Sequence, residues 1–341
     1  MHNPKKKDIS SSRYTGIIGV FLLLYSALTI LPFYLLFIRT FVPTGESTKL
    51  FLWLPKTPDF SLDTSFGNMA IFYSLDSDDF KKAMGIDDFI DPNLTFKEIS
   101  EKYGIQPEKI SVFMRPYYLF NGWIAIVKGR QFLRSLVNTV VITAGSILLG
   151  AVLSICTGSV LAGFRKRWHF LAYNMYMLQI VIPPALVMIP QFIITKELGI
   201  YDSLMGIILF NIKGGALPIM LFTSYIAGVP KELKESVTID GGSHATYVAR
   251  ILFPLCKVPF ASFTAIQVPL VWNDLLYPLL FLKPENYTLT PWVNTFVGGE
   301  FSTNFQAIYT GLFVSLLPLL VVYIVFQRFF IQGAMAGAVK G

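Results

Sequence analysis

Charged residues are scarce in this sequence: Asp, Glu, Lys and Arg make up 14% of 341 residues, against about 25% in an ordinary soluble domain. A soluble fold could not cover the 53% of the chain that is hydrophobic. Cysteine is nearly absent. Cys156 falls inside an apolar run and Cys256 beside a basic loop, so no structural disulfide is expected. Histidine occurs only three times, and neither a His-Glu-x-x-His pair nor a Gly-x-x-x-x-Gly-Lys-Ser/Thr phosphate loop is present. The sequence therefore offers no obvious metal site and no means of powering work with ATP by itself. The apolar runs hold neither paired carboxylates nor an Arg-rich helix, which leaves proton-coupled and voltage-driven roles without support. No cluster of nucleophile and base suggests a membrane-embedded enzyme.

What the sequence does contain is long apolar runs, near the twenty residues a helix needs to cross a bilayer. They cover Gly16 to Ile38, Leu136 to Phe164, Phe170 to Ile194, Leu204 to Ile226, Val258 to Leu282 and Ile308 to Phe330. The first is too long for a signal-peptide core and has no small-residue cleavage site after it, so it is read as a retained helix. The expected fold is an all-α membrane protein of six transmembrane helices.

The net charge of +7 has a simpler source than nucleic-acid binding. Lys5, Lys6, Lys7 and Arg13 precede the first run, and Arg165, Lys166 and Arg167 separate the second from the third. Lys231, Lys234, Arg250 and Lys257 lie between the fourth and fifth, and Arg328 and Lys340 follow the last. The alternate connections carry little beyond Lys196 and Lys283. This bias puts both termini of a multi-pass membrane protein in the cytoplasm.

Residues 1–41 then form a cytoplasmic tail and first helix, 42–133 an extracytoplasmic loop domain, 134–330 a five-helix core and 331–341 a cytoplasmic tail. Within the loop domain, Thr95 to Lys109 reads as a helix, a turn at Gly104 and a second helix starting at Pro107. An acidic segment outside the membrane does not read DNA, so no nucleic-acid partner is expected.

Ser146, Gly150, Ser154, Gly158 and Ala162 recur every four residues, a stripe suited to close helix packing or to lining a solute path. Pro183, Pro184 and Pro190 interrupt the third run and Pro259, Pro269 and Pro278 the fifth, favouring kinks. Among the sparse polar residues of the apolar runs, Asn211, Gln267, Asn273 and Asp274 stand out as candidates for a solute pathway. Asp274 has a second reading, as a cap or a water-facing group.

The most informative stretch is residues 229–256, on the basic side between the fourth and fifth runs. Pro230 suits the start of a short helix and Gly241 its end; between them Leu233 and Val237 share a face. Ser243 is placed to cap a second short helix that stops before Pro254. Such an amphipathic element either rests on lipid headgroups or is presented to a soluble partner.

This stretch resembles the cytoplasmic loop of ABC importer permeases, in which Glu-Ala-Ala is followed by three residues, Gly, about nine more and Ile-x-Leu-Pro. Glu235, Asp240, Gly241, Ile251 and Pro254 fit; Ser236 and Val237 replace the alanines and Phe253 the final Leu. Leu-Val-Asn138-Thr, Trp272-Asn273-Asp274, Gln327-Arg328-Phe-Phe and the ending Ala336-Gly-Ala-Val-Lys340-Gly341 are similar to the maltose-transporter-type carbohydrate permeases.

The resemblance implies a non-catalytic transport subunit of the bacterial inner (plasma) membrane that moves a carbohydrate, oligosaccharides above all, by alternating access. It also implies a coupling helix docked on an ATPase through Leu233, Glu235, Val237, Asp240, Gly241 and Pro254, with a second contact from Lys340 and Gly341. The partners it implies are a second homologous permease, two ATPase subunits that hold the ATP and Mg2+, an extracytoplasmic sugar-binding protein and membrane lipid. No cofactor is expected in this chain. The competing readings are a secondary carrier or channel acting alone and an importer permease for a non-sugar solute.

Overall fold

The computed structural model describes residues 9–55, 61–73, 75–128, 130–163, 167–212, 215–297 and 304–338. Among these residues the regular structure is helical, apart from one isolated bridge between Ser65 and Thr95. In chain order the helices are α1 (Ile9–Arg39), α2 (Phe66–Tyr73), α3 (Ser77–Met84), α4 (Phe96–Tyr103), α5 (Pro107–Lys128), α6 (Arg130–Gly163), α7 (Arg167–Leu178), α8 (Pro184–Glu197) and α9 (Leu204–Asn211). They continue as α10 (Ala216–Ala227), α11 (Glu232–Ile239), α12 (His244–Tyr247), α13 (Phe253–Leu255), α14 (Lys257–Trp272), α15 (Leu276–Phe281), α16 (Leu289–Asn294) and α17 (Phe305–Ala338). The chain divides into two compact units, residues 1–128 with 296–313 and residues 129–295 with 314–341.

In the first unit, α2 to α5 close around Phe66, Phe80, Phe96 and Ile110, all buried. The three Phe rings lie 5.1 to 5.9 Å apart. Two helices of this core are built alike. Asp76 caps α3 by accepting from Asp78 N, and Thr95 caps α4 in a reciprocal box with Glu98. Each then ends on a left-handed glycine, Gly85 at φ +78° and Gly104 at φ +65°, followed by a buried Ile86 or Ile105. That is the helix-ending motif in which a glycine turns the chain and the next apolar residue packs back on the core.

The N–H of Phe66 donates to Leu94 O and that of Phe96 to Thr64 O, so the starts of α2 and α4 are strapped to each other. The two hydrogen bonds from Thr95 hold the Glu98 carboxyl below its ordinary pKa, which keeps the box charged near neutrality. The helix, Gly104 turn and Pro107 helix start expected from sequence are therefore present. Gln306, in the first turn of α17, is buried and donates to Thr40 O at 3.2 Å and Leu119 O at 2.8 Å.

In the second unit α6 is central, packed by α9, α10, α14 and α16. Its Gly158 has no room for a side chain, because a Cβ there would lie 3.1 Å from Thr223 N and 3.3 Å from Phe222 C. Ser146, Gly150 and Ser154 on the same stripe are buried. At Gly158 the stripe is thus a seat for α10.

Among the described residues, three helices are long and apolar enough to cross a bilayer, Gly16–Arg39, Gln131–Ala162 and Phe305–Gln327, or up to five with two bent pairs. The pairs are Leu204–Asn211 with Ala216–Ala227, bent by 52°, and His244–Leu255 with Lys257–Trp272, bent by 68°.

The structure departs from three of the expected unbroken crossings; Leu204 to Ile226 is broken between α9 and α10 and bent by 52°. Phe170 to Ile194 is divided, because α7 ends at Leu178 and α8 begins only at Pro184. Pro184 pushes Pro183 to ψ 133°, out of the helical region, as the ring of a proline does to its predecessor. Val258 to Leu282 is divided after Trp272, where Asn273 ends α14 and α15 starts afresh at Leu276. Phe164, Arg165 and Lys166 lie outside the described residues.

Replacing Thr95 with Ala removes the cap of α4 and is expected to cost about 1 kcal/mol locally, read as roughly fivefold faster hydrogen exchange at the amides of residues 96–99. Gly158→Leu, by contrast, meets backbone rather than flexible side chains. It is expected to reduce the yield of monodisperse full-length protein by at least tenfold in membrane extraction.

Candidate coupling loop and solute cavity

The loop of residues 229–256 begins where α10 ends at Gly228. Leu233 N and Lys234 N donate to Pro230 O and Lys231 O, so the first turn forms directly after Pro230. Glu232 and Glu235 fall in that turn, where the positive end of a helix favours acids. Leu233 and Val237 do not act alike: Val237 packs against the buried cluster below, whereas Leu233 is exposed. Ile239, 84% exposed, lies one turn after exposed Glu235 and shares its face. Sequence reasoning misses Ile239, although an isoleucine one turn beyond the motif acid is the available signal.

Two glycines close α11 for different reasons. Gly241 N donates to Thr238 O and Gly242 N to Val237 O at 2.7 Å, which requires Gly241 at φ +75°, a conformation that penalises any Cβ. Gly242 instead lacks space: a Cβ there would lie 2.6 Å from Val237 Cγ1 and 2.9 Å from Val237 O. Asp240 is the exposed last residue of this closure.

Ser243 then caps α12 in a reciprocal box with Thr246. The second helix does not stop before Pro254. It runs through a wide turn at Val248–Leu252, in which Phe253 N donates to Val248 O, and Pro254 lies inside α13. The wider repeat shifts the hydrogen-bond ladder by one residue and so admits a proline that an ordinary helix interior would reject.

This second half is rooted in the bundle. Tyr247, Val248, Leu252 and Cys256 are buried with Ile147, Ala151 and Ile155 of α6 and Phe222 and Ile226 of α10. Two side-chain hydrogen bonds add to that packing. Tyr225 OH donates to Leu255 O at 3.0 Å, and Ser159 Oγ lies 3.1 Å from His244 Nε2. Because the Ser159 hydroxyl already donates to Cys156 O, His244 must be the donor, with its proton on Nε2.

A cavity of about 440 Å³ lies among α6, α9, α10 and α14, within the range of small-ligand pockets. Asn211 and Gln267, both expected on a solute pathway, line it together with Ser154 and Gln179. Asn211 Nδ2 donates to Ser146 Oγ at 3.1 Å, while the buried Ser154 hydroxyl has no hydrogen-bond partner among the described residues. Gln179 is missed from sequence; its place just before Ile-Val-Ile-Pro-Pro marks it.

Asn273 and Asp274 are not part of this lining. Asn273 ends α14, and Asp274 accepts from Leu276 N and Tyr277 N, so its second reading as a cap is the one the geometry gives. Lys340 and Gly341 lie outside the described residues.

A further polar cluster escapes sequence reading. Asp202, a non-glycine at φ +59°, accepts from Lys283 N and Asn286 Nδ2. Asn286 in turn accepts from Arg134 and, through its backbone O, from Asn138. Burial raises the Asp202 pKa, but these hydrogen bonds and the charges of Lys283 and Arg134 outweigh it and hold the carboxyl below its ordinary value.

The family model of the binding-protein-dependent transport system inner membrane component matches residues 150–334, more than half of the chain and the whole of the loop and cavity just described. The chain belongs to this family. The arabinooligosaccharides transport system permease protein AraQ of Bacillus subtilis (strain 168) is 26% identical over 233 residues, 68% of this chain and 80% of the relative. The melibiose/raffinose/stachyose import permease protein MelC of the same strain is 29% identical over 210 residues, covering 61% and 76%. Among solved structures, a bacterial ABC transporter involved in the import of the acidic polysaccharide alginate shares the fold, with a TM-score of 0.64 at 16% identity over 96% of this chain and 100% of that one.

Gly242→Val in this inner membrane component forces Val237 aside and opens the closure of α11. Overpacking of this kind costs roughly 1–3 kcal/mol, so the amide of residue 242 is expected to exchange at least tenfold faster while the α12 amides are unchanged.

Proposed function

We propose that this chain is the transmembrane subunit of an ATP-driven importer that carries a carbohydrate, oligosaccharides in particular, into a bacterial cell by alternating access. The observation that carries the reading is the short helix α11, which presents Glu235 and Ile239 outward at one end of a loop whose other end is buried in the bundle. A force applied to α11 passes through the Gly241 closure and α12 to α6 and α14. Family membership and relatives named for sugar transport support this over a carrier acting alone.

In this reading α11 docks on one of two ATPase subunits, which hold the ATP and Mg2+, through Leu233, Glu235 and Ile239. Asp240 and Gly241 turn the chain, Val237 seats the helix, and Pro254 lies within the buried second half. A second homologous permease and an extracytoplasmic sugar-binding protein complete the complex; the family description, binding-protein-dependent, supports the latter. The C-terminal tail with Lys340 and Gly341 makes a second ATPase contact.

α7 and α8 together supply a sixth crossing beyond the five candidates. Residues 42–133 then lie outside the cell, 134–330 form the core with the coupling loop at 229–256, and residues 1–41 and 331–341 begin and end in the cytoplasm. The solute passes the cavity at Asn211 and Gln267, where amide side chains can both donate to and accept from sugar hydroxyls.

Affinity purification of the tagged chain from its native host is expected to recover an ATPase, and Ile239→Cys to cross-link to it. Recovery of no ATPase, together with labelling of the Ile239→Cys thiol from outside intact cells, would overturn the reading. Gly241→Pro fixes φ near −65° and removes the N–H that binds Thr238 O. It is expected to leave insertion intact, allow ATP hydrolysis and abolish uptake.

A further inference from the structure

Beyond Arg39 the chain does not leave the neighbourhood of α1. It turns through Thr44–Glu46, where Arg39 Nη1 donates to Ser47 O, and comes back along the helix until the Tyr34 hydroxyl donates to Leu52 O at 2.6 Å. Tyr34 lies five residues before the end of α1, about 7.5 Å back along its axis at 1.5 Å per residue. The returning strand, residues 50–54, has no regular structure. Leu50, Leu52, Trp53 and Leu54 are 71%, 51%, 78% and 57% exposed. Four large apolar side chains on one short exposed segment are not explained by the core of the first unit, which uses none of them.

We propose that residues 50–54 are an interfacial membrane anchor, seated in the phospholipid headgroup and upper acyl region on the side where α1 ends. The segment is continuous with the apolar surface of a span: Leu31, Phe33, Tyr34 and Phe37 on the same end of α1 are also exposed. Its depth is bounded from both directions. The Tyr34 tether draws it about 7.5 Å inward from the end of α1, the depth at which amphipathic segments lie. An irregular backbone facing lipid cannot go deeper, because its peptide groups would meet hydrocarbon without partners. Trp53 suits this zone, with a large apolar ring and an indole N–H for the headgroups.

The inference depends on α1 crossing the bilayer and not on sugar transport or on an ATPase. The test is tryptophan fluorescence of the full chain reconstituted in phosphatidylcholine vesicles, with the Trp53→Phe variant subtracted to isolate Trp53. Quenching by lipid brominated high on the acyl chain, at least threefold stronger than by aqueous iodide, is expected. Stronger quenching by iodide would overturn the proposal by putting the segment in water. Quenching by neither would overturn it by showing the segment covered by the rest of this chain or by a second copy of it. A nitroxide on Leu52→Cys in a Cys156→Ser background gives an independent reading: higher accessibility to oxygen than to a water-soluble nickel chelate is expected, and the reverse would sink the anchor.

Discussion

Backbone N–H and C=O groups have no water to turn to inside a bilayer, and the need to satisfy them within the protein governs where this chain stays helical and where it breaks. The unbroken helices α1, α6 and α17 satisfy themselves except where Pro32 and Pro318 each remove one backbone donor. The interrupted segments do not, and their breaks fall beside other elements. Gln179 to Pro183 separates α7 from α8, and Gln179 and Ile182 line the polar cavity. The bend between α9 and α10 follows Asn211 at the same cavity. Irregular backbone is thus concentrated where polar side chains can meet it, and the space that could hold a solute arises from the same breaks.

The coupling loop obeys a different constraint. Its first half is mostly exposed and held by local closure through Gly241, Gly242 and the Ser243 box, with Val237 packed on the cluster below. Its second half is buried among α6, α10 and α14. In the proposed coupling role α11 is a short lever, and burial of Tyr247, Leu252 and Cys256 fixes the other end.

Local signals make much of this legible from sequence. The capped helix, left-handed glycine and proline start of residues 95–109 depend on neighbours a few positions apart, and so does the turn at Gly241; both are present. The apolar runs are equally plain in composition, yet Pro183-Pro184 divides one that hydropathy reads as continuous, because an average over twenty residues does not register one missing N–H. Asn211 and Gln267 share a cavity, while Asp274 joins the same group by residue type alone and is a helix cap instead. The cluster around Asp202 is invisible because its partners, Lys283, Asn286 and Arg134, lie scores of residues away and nothing in local spacing joins them. Ile239 is overlooked because the motif directs attention to positions before it.

The wide turn at Val248–Leu252 has a consequence for how this loop tolerates change in length. It holds one residue more than an ordinary helical turn, so deleting a single position there would let Tyr247 and Cys256 keep their facing but would leave Pro254 in a plain helical ladder that has no place for its ring. A deletion of the same size in α11 or α14 has no such slack to draw on and would swing every following side chain by about 100°, one step of a helix with 3.6 residues per turn. Of the segments joining lever to bundle, this one alone among the described residues has a built-in spare position, and it lies next to the proline that makes the extra width necessary.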